Sequence, residues 1–328
     1  MRNKNILKDK VLLVTGGTGS FGRAFIEKVL GGYNPRKVIV FSRDELKQHE
    51  MRILPQFQDK RMRWFLGDVR DKSRLDMALQ DVDLVVHAAA LKQVDTGEYN
   101  PIEFIKTNVI GSQNVVESCI SAGVNRVIAL STDKASSPVN LYGATKLTAD
   151  KLFVSSNIYG TRTDTTFSVV RYGNVMASRG SVIPIFRDFV SKGKDFNITD
   201  PRMTRFWITL NQATEFVLEN LNLMQGGEIF VPIIPSMNIV DLAGAIDSRR
   251  KYNVIGIRPG EKLHEEMISE YEAYRTIKWR NRYVILSDDN RFQLYRGHER
   301  VGEKFSYRSD NNPWVLTGDE MKKLLAAN

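Results

Sequence analysis

A glycine-rich turn between a predicted strand and a predicted helix constrains the fold of this chain more than any other feature. Residues 11–15 form a short apolar run, Gly16, Gly19 and Gly22 follow, and residues 23–30 have helical periodicity. Because glycine lacks a Cβ atom, the backbone of such a turn can approach a pyrophosphate at a helix N-terminus. A bare glycine pattern is weak evidence, but between a strand and a helix it strongly indicates a nucleotide-binding unit.

Alternating strand and helix patterns continue after this turn. Predicted strands cover residues 37–42, 62–66, 84–87, 126–130 and 166–171, and long helices are predicted over 101–122 and 141–157. We therefore predict an α/β fold: a Rossmann-type doubly wound parallel sheet. Residues 1–175 are expected to form the nucleotide-binding domain. Residues 176–328 are expected to form a smaller C-terminal α/β substrate-binding lobe, with interleaving of segments allowed.

The composition narrows the class of partner. The formal net charge of +9 leaves nucleic acid, an anionic membrane surface or an anionic small substrate open. We expect no nucleic acid, because no helix-turn-helix, zinc-finger or RNA-binding signature is present, and no membrane span, because every apolar run is strand-sized. The lone Cys119 excludes an intrachain disulfide, and the N-terminus leads straight into the first strand without room for a signal peptide. A cytoplasmic location follows as the expectation.

The candidate catalytic groups lie within residues 131–146, where the fifth predicted strand runs into polar residues. Asp133 and Lys134 place an acid and an amine at the strand end, and Tyr142 and Lys146 stand four apart on a predicted helix. Residues four apart face the same side of a helix, and a nearby ammonium favours the phenolate form of a tyrosine. The alternative is an ordinary solvated loop, which becomes less favoured once a cofactor site is predicted beside it.

The end of the second predicted strand indicates which cofactor is bound. An acidic residue there typically accepts hydrogen bonds from the ribose of NAD, but this chain has Ser42 and Arg43, with Lys47 one turn later. A guanidinium suits a 2′-phosphate, so we predict NADP. The alternative, in which Ser42 simply caps a surface helix, is compatible with this role. Asp68 is positioned to meet the adenine amino group.

Several motifs together resemble a known superfamily. The glycine turn, the pair Tyr142-x-x-x-Lys146 and residues 258–262 (Arg-Pro-Gly-Glu-Lys) resemble the extended short-chain dehydrogenase/reductases. More narrowly, the chain resembles the inverting UDP-N-acetylglucosamine 4,6-dehydratases, which start pseudaminic acid synthesis for surface glycans. The segments that carry this resemblance are 42–48, 88–92, 131–134, 171–175, 178–182, 203–209 and 229–232.

The resemblance covers roughly the first 270 residues and returns at 307–314. Gln93 stands where the pseudaminic members have His, and Gln at this position is shared with capsule-pathway dehydratases. The segment 94–97 lacks the Pro that usually follows Val94, and Met176-Ala177 replaces the usual small pair before 178–181. These departures leave the glycan pathway open. They also keep two alternatives: a capsule-pathway UDP-sugar dehydratase or epimerase, and a non-catalytic NADP-binding protein.

The resemblance implies NADP-dependent removal of water from UDP-N-acetylglucosamine with inversion at C5. Its product is UDP-2-acetamido-2,6-dideoxy-β-L-arabino-hexos-4-ulose. By this resemblance Tyr142 takes the proton of the 4-hydroxyl, Lys146 supports it, and Thr132 bonds the oxygen at C4. Lys134 is the base at C5 and Asp133 protonates the departing 6-hydroxyl. A lysine base requires a lowered pKa, which we expect from burial beside cations such as Lys146.

The same resemblance assigns the binding residues. The expected cofactor contacts are Gly16, Thr18, Gly19, Ser20, Phe21, Gly22, Ser42, Arg43, Lys47, Asp68, Val69, Ala88, Ala90, Lys92, Asn108, Tyr142 and Lys146. The expected substrate contacts are Lys92, Lys134, Asn174, Arg179, Thr199, Arg258 and Asn312, with Arg258 on the diphosphate. No metal is predicted, because the histidines lack ligand spacing. Members of this superfamily commonly pair through two helices, so we expect a homo-oligomer, a dimer or higher.

Overall fold

The computed structural model describes residues 6–159, 164–176, 178 and 180–327. The strands are β1 Val11–Thr15, β2 Lys37–Ser42, β3 Met62–Leu66, β4 Leu84–His87, β5 Arg126–Thr132, β6 Thr166–Tyr172, β7 Asn174–Val175, β8 Phe196–Ile198, β9 Thr204–Ile208, β10 Ile229–Pro232, β11 Ser236–Asn238, β12 Tyr252–Val254, β13 Glu266–Ile268, β14 Thr276–Trp279, β15 Arg282–Ile285, β16 Glu299–Arg300 and β17 Tyr307–Arg308. The helices are α1 Ser20–Gly32, α2 Glu45–Arg52, α3 Lys72–Ala78, α4 Val94–Tyr99, α5 Pro101–Phe104, α6 Gly111–Ala122, α7 Leu141–Ser155, α8 Val182–Ser191, α9 Leu210–Leu223, α10 Ile239–Ile246, α11 Glu270–Ala273 and α12 Gly318–Ala327.

Ten of these strands form one central sheet in the order β3-β2-β1-β4-β5-β6-β10-β15-β14-β16. The strands from β3 to β10 are parallel, and β15, β14 and β16 extend the sheet in antiparallel fashion. The order 3-2-1-4-5-6 is that of a doubly wound nucleotide-binding sheet. In such a sheet the strands stay parallel, and the order in which they are added reverses between β1 and β4. The predicted fold class is therefore confirmed. Residues 271–306, where the sequence offered little to recognise, supply the antiparallel extension.

The hydrophobic core has two parts. The larger part surrounds the central sheet, and β1 is buried at every residue because helices cover a parallel sheet. The smaller part lies entirely after residue 175 and includes Met176, Phe186, Trp207 and Leu242. The chain after residue 175 thus contributes both to the sheet, through β10 and β14 to β16, and to a separate small core.

Two glycines of the turn after β1 are required by close backbone packing. Gly16 has φ +65°, and a Cβ atom there would lie 2.8 Å from the backbone nitrogen of Ala89. A Cβ atom on Gly22 would lie 2.5 Å from the Cα of Gly17. The start of α1 therefore packs directly on the turn, and the turn packs on the residues that follow β4. This packing directs the first amides of the helix toward the end of the sheet.

A buried ion-pair network ties the central sheet to the later part of the chain. Arg171, on β6, is 0% exposed and reaches Asp150 Oδ2 of α7 at 3.2 Å and Glu272 Oε2 of α11 at 3.0 Å. Asp150 also accepts a hydrogen bond from Ser131 at 2.8 Å. The helix that carries Tyr142 is therefore fixed to a strand end and to a C-terminal segment at once.

Replacing Arg171 with methionine is expected to lower the free energy of unfolding by about 3–5 kcal/mol. The reason is that Asp150 and Glu272 would remain buried without the cation that pairs with them. Urea unfolding followed by circular dichroism measures this loss. The control is Arg202→Met, whose guanidinium pairs with Asp200 on an exposed turn and should change stability little. Equal midpoints for the two variants would contradict a stabilising role for the network.

Candidate active site

A cleft of about 1060 Å³ lies at the carboxyl ends of the parallel strands, where doubly wound sheets bind ligands. One wall is built from the glycine turn and the ends of β2 to β5, and the other from later segments that include residues 197–205 and 258–265. Predicted cofactor residues that line it are Gly16, Thr18, Gly19, Ser20, Phe21, Gly22, Ser42, Arg43, Lys47, Asp68, Val69, Ala88, Ala90 and Lys92. Predicted catalytic and substrate residues that line it are Thr132, Asp133, Lys134, Tyr142, Lys146, Asn174, Thr199 and Arg258.

Two of the predicted binding residues lie elsewhere. Asn312 is buried outside the cleft lining, and its amide donates to the carbonyl oxygens of Ile234 and Trp314. Asn108 is also buried, outside the cleft lining. Arg179 lies outside the described residues.

The Asn108 side chain links the loop after β4 to helix α7. It sits in a π-helical segment, Ile105–Ile110, which interrupts the single helix predicted over 101–122. Its amide accepts a hydrogen bond from the backbone of Leu91 at 2.8 Å and donates to Leu91 O and to Thr145 Oγ1 of α7. Such π-turns frequently occur at functional sites. Here the turn orients a side chain that fixes the loop after β4 to the helix of Tyr142.

The cofactor end of the cleft presents an arginine on its rim. The Arg43 side chain is about half exposed, and its Nη1 lies 3.6 Å from Asp68 Oδ2. Ser42 does not cap the next helix: its hydroxyl accepts a hydrogen bond from Gln48, and Asp44 caps α2 by accepting from the Lys47 amide at 3.0 Å. The capping alternative for Ser42 is therefore wrong. Lys47 forms its own ion pair with Asp44 at 2.7 Å.

Tyr142 and Lys146 are both buried and occupy successive turns of α7, as the spacing predicted. Lys146 Nζ donates to the carbonyl oxygen of Leu130 at 2.7 Å, and burial lowers its pKa while Asp150 opposes the change. Burial raises the pKa of Tyr142 to about 12, although Lys134 and a hydrogen bond with Thr132 act in the opposite direction. The structure therefore corrects the expectation that Lys146 makes Tyr142 a phenolate: burial outweighs the cations, of which Lys134 acts most strongly.

Lys134 lies between two carboxylates. Its Nζ is 3.0 Å from Asp133 Oδ1 and 3.0 Å from Glu265 Oε1, and both carboxylates are almost completely buried. Burial alone would lower the pKa of Lys134, but the negative charges of Asp133 and Glu265 outweigh it and raise the pKa above the ordinary value. The expectation of a lowered pKa is wrong, because these carboxylates, rather than cations, are the closest groups.

Asp133 has the environment of a proton donor. Its Oδ1 accepts from Thr132 Oγ1 at 2.9 Å and from Lys134 Nζ, while its Oδ2 is buried and has no partner among the described residues. Burial raises the pKa of Asp133, and the nearby Glu265 adds to the increase although Lys134 opposes it. A carboxyl group with a raised pKa retains a proton that it can donate.

A segment that is distant in sequence holds the loop carrying these groups. Lys262 Nζ donates to the carbonyl oxygen of Ser136 at 2.6 Å, and Glu266 Oε2 accepts from the hydroxyls of Ser136 and Ser137 at 3.0 and 2.5 Å. Glu265 lies between these two anchors. Sequence reasoning missed Glu265; the only signal was its position three residues after the Arg258-to-Lys262 motif.

Helix α7 packs directly on the same loop. A Cβ atom on Gly143 would lie 2.2 Å from the carbonyl oxygen of Lys134, so glycine is required next to Tyr142. The loop that carries Asp133 and Lys134 is thus held by α7 on one side and by residues 262–266 on the other. Among the described residues, no three His, Cys, Asp or Glu side chains are grouped as metal ligands. In that part of the chain, no helix is both long and apolar enough to cross a bilayer.

Comparison with known proteins identifies close relatives. A family model described as "Polysaccharide biosynthesis protein" matches residues 12–287. The UDP-N-acetylglucosamine 4,6-dehydratase (inverting) of Campylobacter jejuni subsp. jejuni serotype O:2 is 51% identical over 326 residues, which cover 96% of this chain and 97% of that protein. A UDP-glucose 4-epimerase of Rickettsia bellii (strain OSU 85-389) is 40% identical over 328 residues, covering 97% and 95%.

Solved structures share the fold over most of the chain. The X-ray structure of Pen from Bacillus thuringiensis has a TM-score of 0.91 and 37% identity, covering 98% of both chains. DesIV, a dTDP-glucose 4,6-dehydratase from Streptomyces venezuelae solved with NAD and TYD bound, has a TM-score of 0.69 and 26% identity. It covers 77% of this chain and 86% of its own. Both comparisons agree with the doubly wound sheet.

Proposed function

Because the chain belongs to the polysaccharide biosynthesis family that contains the inverting UDP-N-acetylglucosamine 4,6-dehydratases, we propose that it removes water from UDP-N-acetylglucosamine with inversion at C5. The observation that carries the proposal is the group of Asp133, Lys134 and Tyr142 in one cleft with the glycine turn. The acid and the amine lie within 3.0 Å of each other. An epimerase needs only the hydride site, whereas elimination also needs an acid and a base.

The residues of the turn fit a nicotinamide dinucleotide. Gly16 adopts a positive φ, and any Cβ atom there would collide with the end of β4, so the backbone lies open at the start of α1. Such a cofactor, when bound, accepts hydride from C4 of the sugar and returns it to C6. Lys146, through its bond to Leu130 O, is held at the junction of strand and helix where the nicotinamide ribose is expected.

The side chains then divide the proton transfers among them. Tyr142 reacts as the phenolate, the minor form of a phenol whose pKa burial raises, and takes the proton of the 4-hydroxyl as C4 is oxidised. The resulting ketone acidifies C5. Lys134 and Asp133 react from the neutral form of their pair, in which the proton of the ammonium has moved to the carboxylate 3.0 Å away. Lys134 then takes the C5 proton, and Asp133 gives its proton to the departing 6-hydroxyl, so that water leaves. Reprotonation of C5 from the opposite face gives UDP-2-acetamido-2,6-dideoxy-β-L-arabino-hexos-4-ulose. Thr132, whose hydroxyl donates to Asp133 Oδ1, is proposed to contact the oxygen at C4.

For the substrate we propose contacts from the opposite wall. Arg258 is about half exposed and its guanidinium suits the diphosphate of UDP. Lys92, Asn174 and Thr199 line the same cleft, although the Thr199 hydroxyl is directed toward Met203 Sδ at 3.0 Å. Their roles stay predictions.

Product analysis tests the proposal. Incubating the protein with UDP-N-acetylglucosamine in deuterated water should give a product lighter by one water, with deuterium at C5 and L-arabino configuration by proton NMR. A D-xylo 4-keto sugar as the first and only product would contradict inversion. A product of unchanged mass with altered C4 configuration would instead support the second candidate, a UDP-sugar 4-epimerase, which the Rickettsia relative favours.

The preferred cofactor is proposed to be NADP, because the end of β2 offers Arg43 where an acidic residue would favour NAD. Replacing Arg43 with glutamine should weaken NADPH binding by about 10–100-fold, the value of a charge-assisted contact to phosphate. NADH binding should change little. Fluorescence titration with both nucleotides measures the two affinities. Arg36→Gln, an exposed arginine just before the opposite end of β2, is the matched control, and equal effects on NADPH from both variants would contradict the assignment.

Two broader proposals complete this function. The product is proposed to be used in the synthesis of a pseudaminic acid-type surface glycan, and Gln93, which lines the cleft, is the residue that departs from that pattern.

We also propose that the protein forms a homo-oligomer, since consecutive segments expose the apolar side chains of Tyr99, Ile102, Ile105 and Ile110. Sedimentation of the purified protein measures the oligomeric state.

A further inference from the structure

We infer that Glu265 is a positioning residue for the proposed proton transfer at C5: its carboxylate holds the Lys134 amine beside Asp133. The inference rests on the proposed function. The geometry places Lys134 Nζ at 3.0 Å from one oxygen of each carboxylate. Asp133 belongs to the end of the central sheet, whereas Glu265 immediately precedes β13. The amine therefore has one partner from each wall of the cleft.

The burial of Glu265 indicates that its charge is retained for a reason other than stability. Its side chain is 4% exposed, and Oε2 has no hydrogen-bond partner among the described residues. An isolated buried carboxylate is costly, and even a paired one often contributes little net stability. Glu265 lines the cleft, and its backbone amide donates to Ser309 Oγ at 2.9 Å, which fixes where the carboxylate lies.

The neighbouring anchors restrict how Lys134 can move. Lys262 Nζ donates a hydrogen bond to the carbonyl oxygen of Ser136, and Glu266 Oε2 accepts hydrogen bonds from the hydroxyls of Ser136 and Ser137. The backbone on both sides of Glu265 is thus tied to the loop that carries Lys134. The Glu265 side chain extends this attachment to the amine itself. A displacement of about 1 Å at a reacting group can cost about a hundredfold in rate.

Charged groups around the pair determine the sign of the effect of pH. Those facing Glu265 are Lys134, Arg205, Lys262 and Asp133, and those facing Lys134 also include Lys92 and Tyr142. Arg205 Nε lies 3.6 Å from Glu265 Oε1. Without the Glu265 charge, fewer anions stabilise the ammonium, so the pKa of Lys134 falls. The pKa of Asp133 falls as well, because a repelling carboxylate is removed. Both limbs of the pH–rate profile should therefore move to lower pH.

The test compares Glu265→Gln, which keeps the shape but removes the charge, with the unmodified enzyme. Rapid mixing with UDP-N-acetylglucosamine should show hydride removal from C4 at a nearly unchanged rate, followed by accumulation of reduced cofactor. Incorporation of deuterium at C5 should be slower by about 10–100-fold, as expected for a misplaced amine. The pH profile should shift to lower pH. Glu265→Asp, which keeps the charge, should leave the profile near its original position.

Three outcomes overturn the inference. One is a Glu265→Gln enzyme with unchanged C5 exchange. Another is a uniform loss of both half-reactions with an unshifted pH profile, which a purely structural ion pair would produce. The third is an equal change in Glu270→Gln, an exposed carboxylate at the start of α11 that serves as the control. Failure of the unmodified protein to convert UDP-N-acetylglucosamine would instead count against the proposed function.

Discussion

Replacing Tyr142 with phenylalanine is expected to lower kcat for 4-keto-sugar formation by about 10³-fold, within the range that a positioned general base contributes. The phenol lines the cleft, and its ionisation responds to Lys134, Thr132 and Asp133, the same groups that are proposed to carry out the elimination. Without the hydroxyl, no group accepts the proton of the 4-hydroxyl, so hydride removal itself should fail. Reduced cofactor should therefore not form on mixing with substrate.

The measurement is a steady-state rate together with a rapid-mixing trace of cofactor reduction. Tyr271→Phe, which removes the same hydroxyl from an almost fully exposed tyrosine, is the control and should retain full activity. Circular dichroism should be unchanged, because phenylalanine retains the ring that is buried at this position. A Tyr142→Phe enzyme that reduces its cofactor at the normal rate would contradict the assignment of the base.

Replacing Lys134 with methionine is expected to lower product formation by about 10²–10⁴-fold through a different step. Tyr142 remains, so C4 is still oxidised and reduced cofactor accumulates, but the C5 proton is no longer removed. The contrast between the two variants separates hydride transfer from elimination. Lys151→Met, an exposed lysine on the same helix as Tyr142, is the control.

Folding must be controlled in this second experiment. Loss of the ammonium leaves Asp133 and Glu265 buried and facing each other, which destabilises the protein unless one of them is protonated. The double variant Lys134→Met with Glu265→Gln removes that repulsion and should recover thermal stability without recovering elimination. Normal product formation by either variant would refute the role of Lys134 at C5.

The fold was largely predictable from local patterns. The strands β1, β2 and β4 occupy the residues that their apolar runs indicated, because a strand buried on both faces must be largely apolar. The edge strand β3 also lies where it was predicted, although most of its residues are not buried. The antiparallel strands β14 to β16 were not predicted. Their place in the sheet depends on pairing with β10, and nothing local in those residues reveals that partner.

Most of the residues proposed for the site line the cleft, but their electrostatic environment was not predicted. Spacing alone put Tyr142 and Lys146 on one face of a helix, and strand-end position put Asp133 and Lys134 beside them. Asn312 and Asn108, assigned by resemblance alone, turned out to bond backbone groups of neighbouring loops. A polar side chain at a motif position can bond a ligand only if its donors and acceptors are not already paired with backbone groups of the protein.

The sequence by itself determined the nucleotide turn, the Tyr142-x-x-x-Lys146 pair and the acid and amine at the end of β5, because these depend on neighbours within a few residues. Only the tertiary structure decided the charge of Lys134 and the ionisation of Tyr142. Folding brings Glu265 from far along the chain to within 3.0 Å of the amine and buries the phenol. A pKa depends on the groups within a few ångströms and on the loss of water, and neither is encoded in the spacing of a motif.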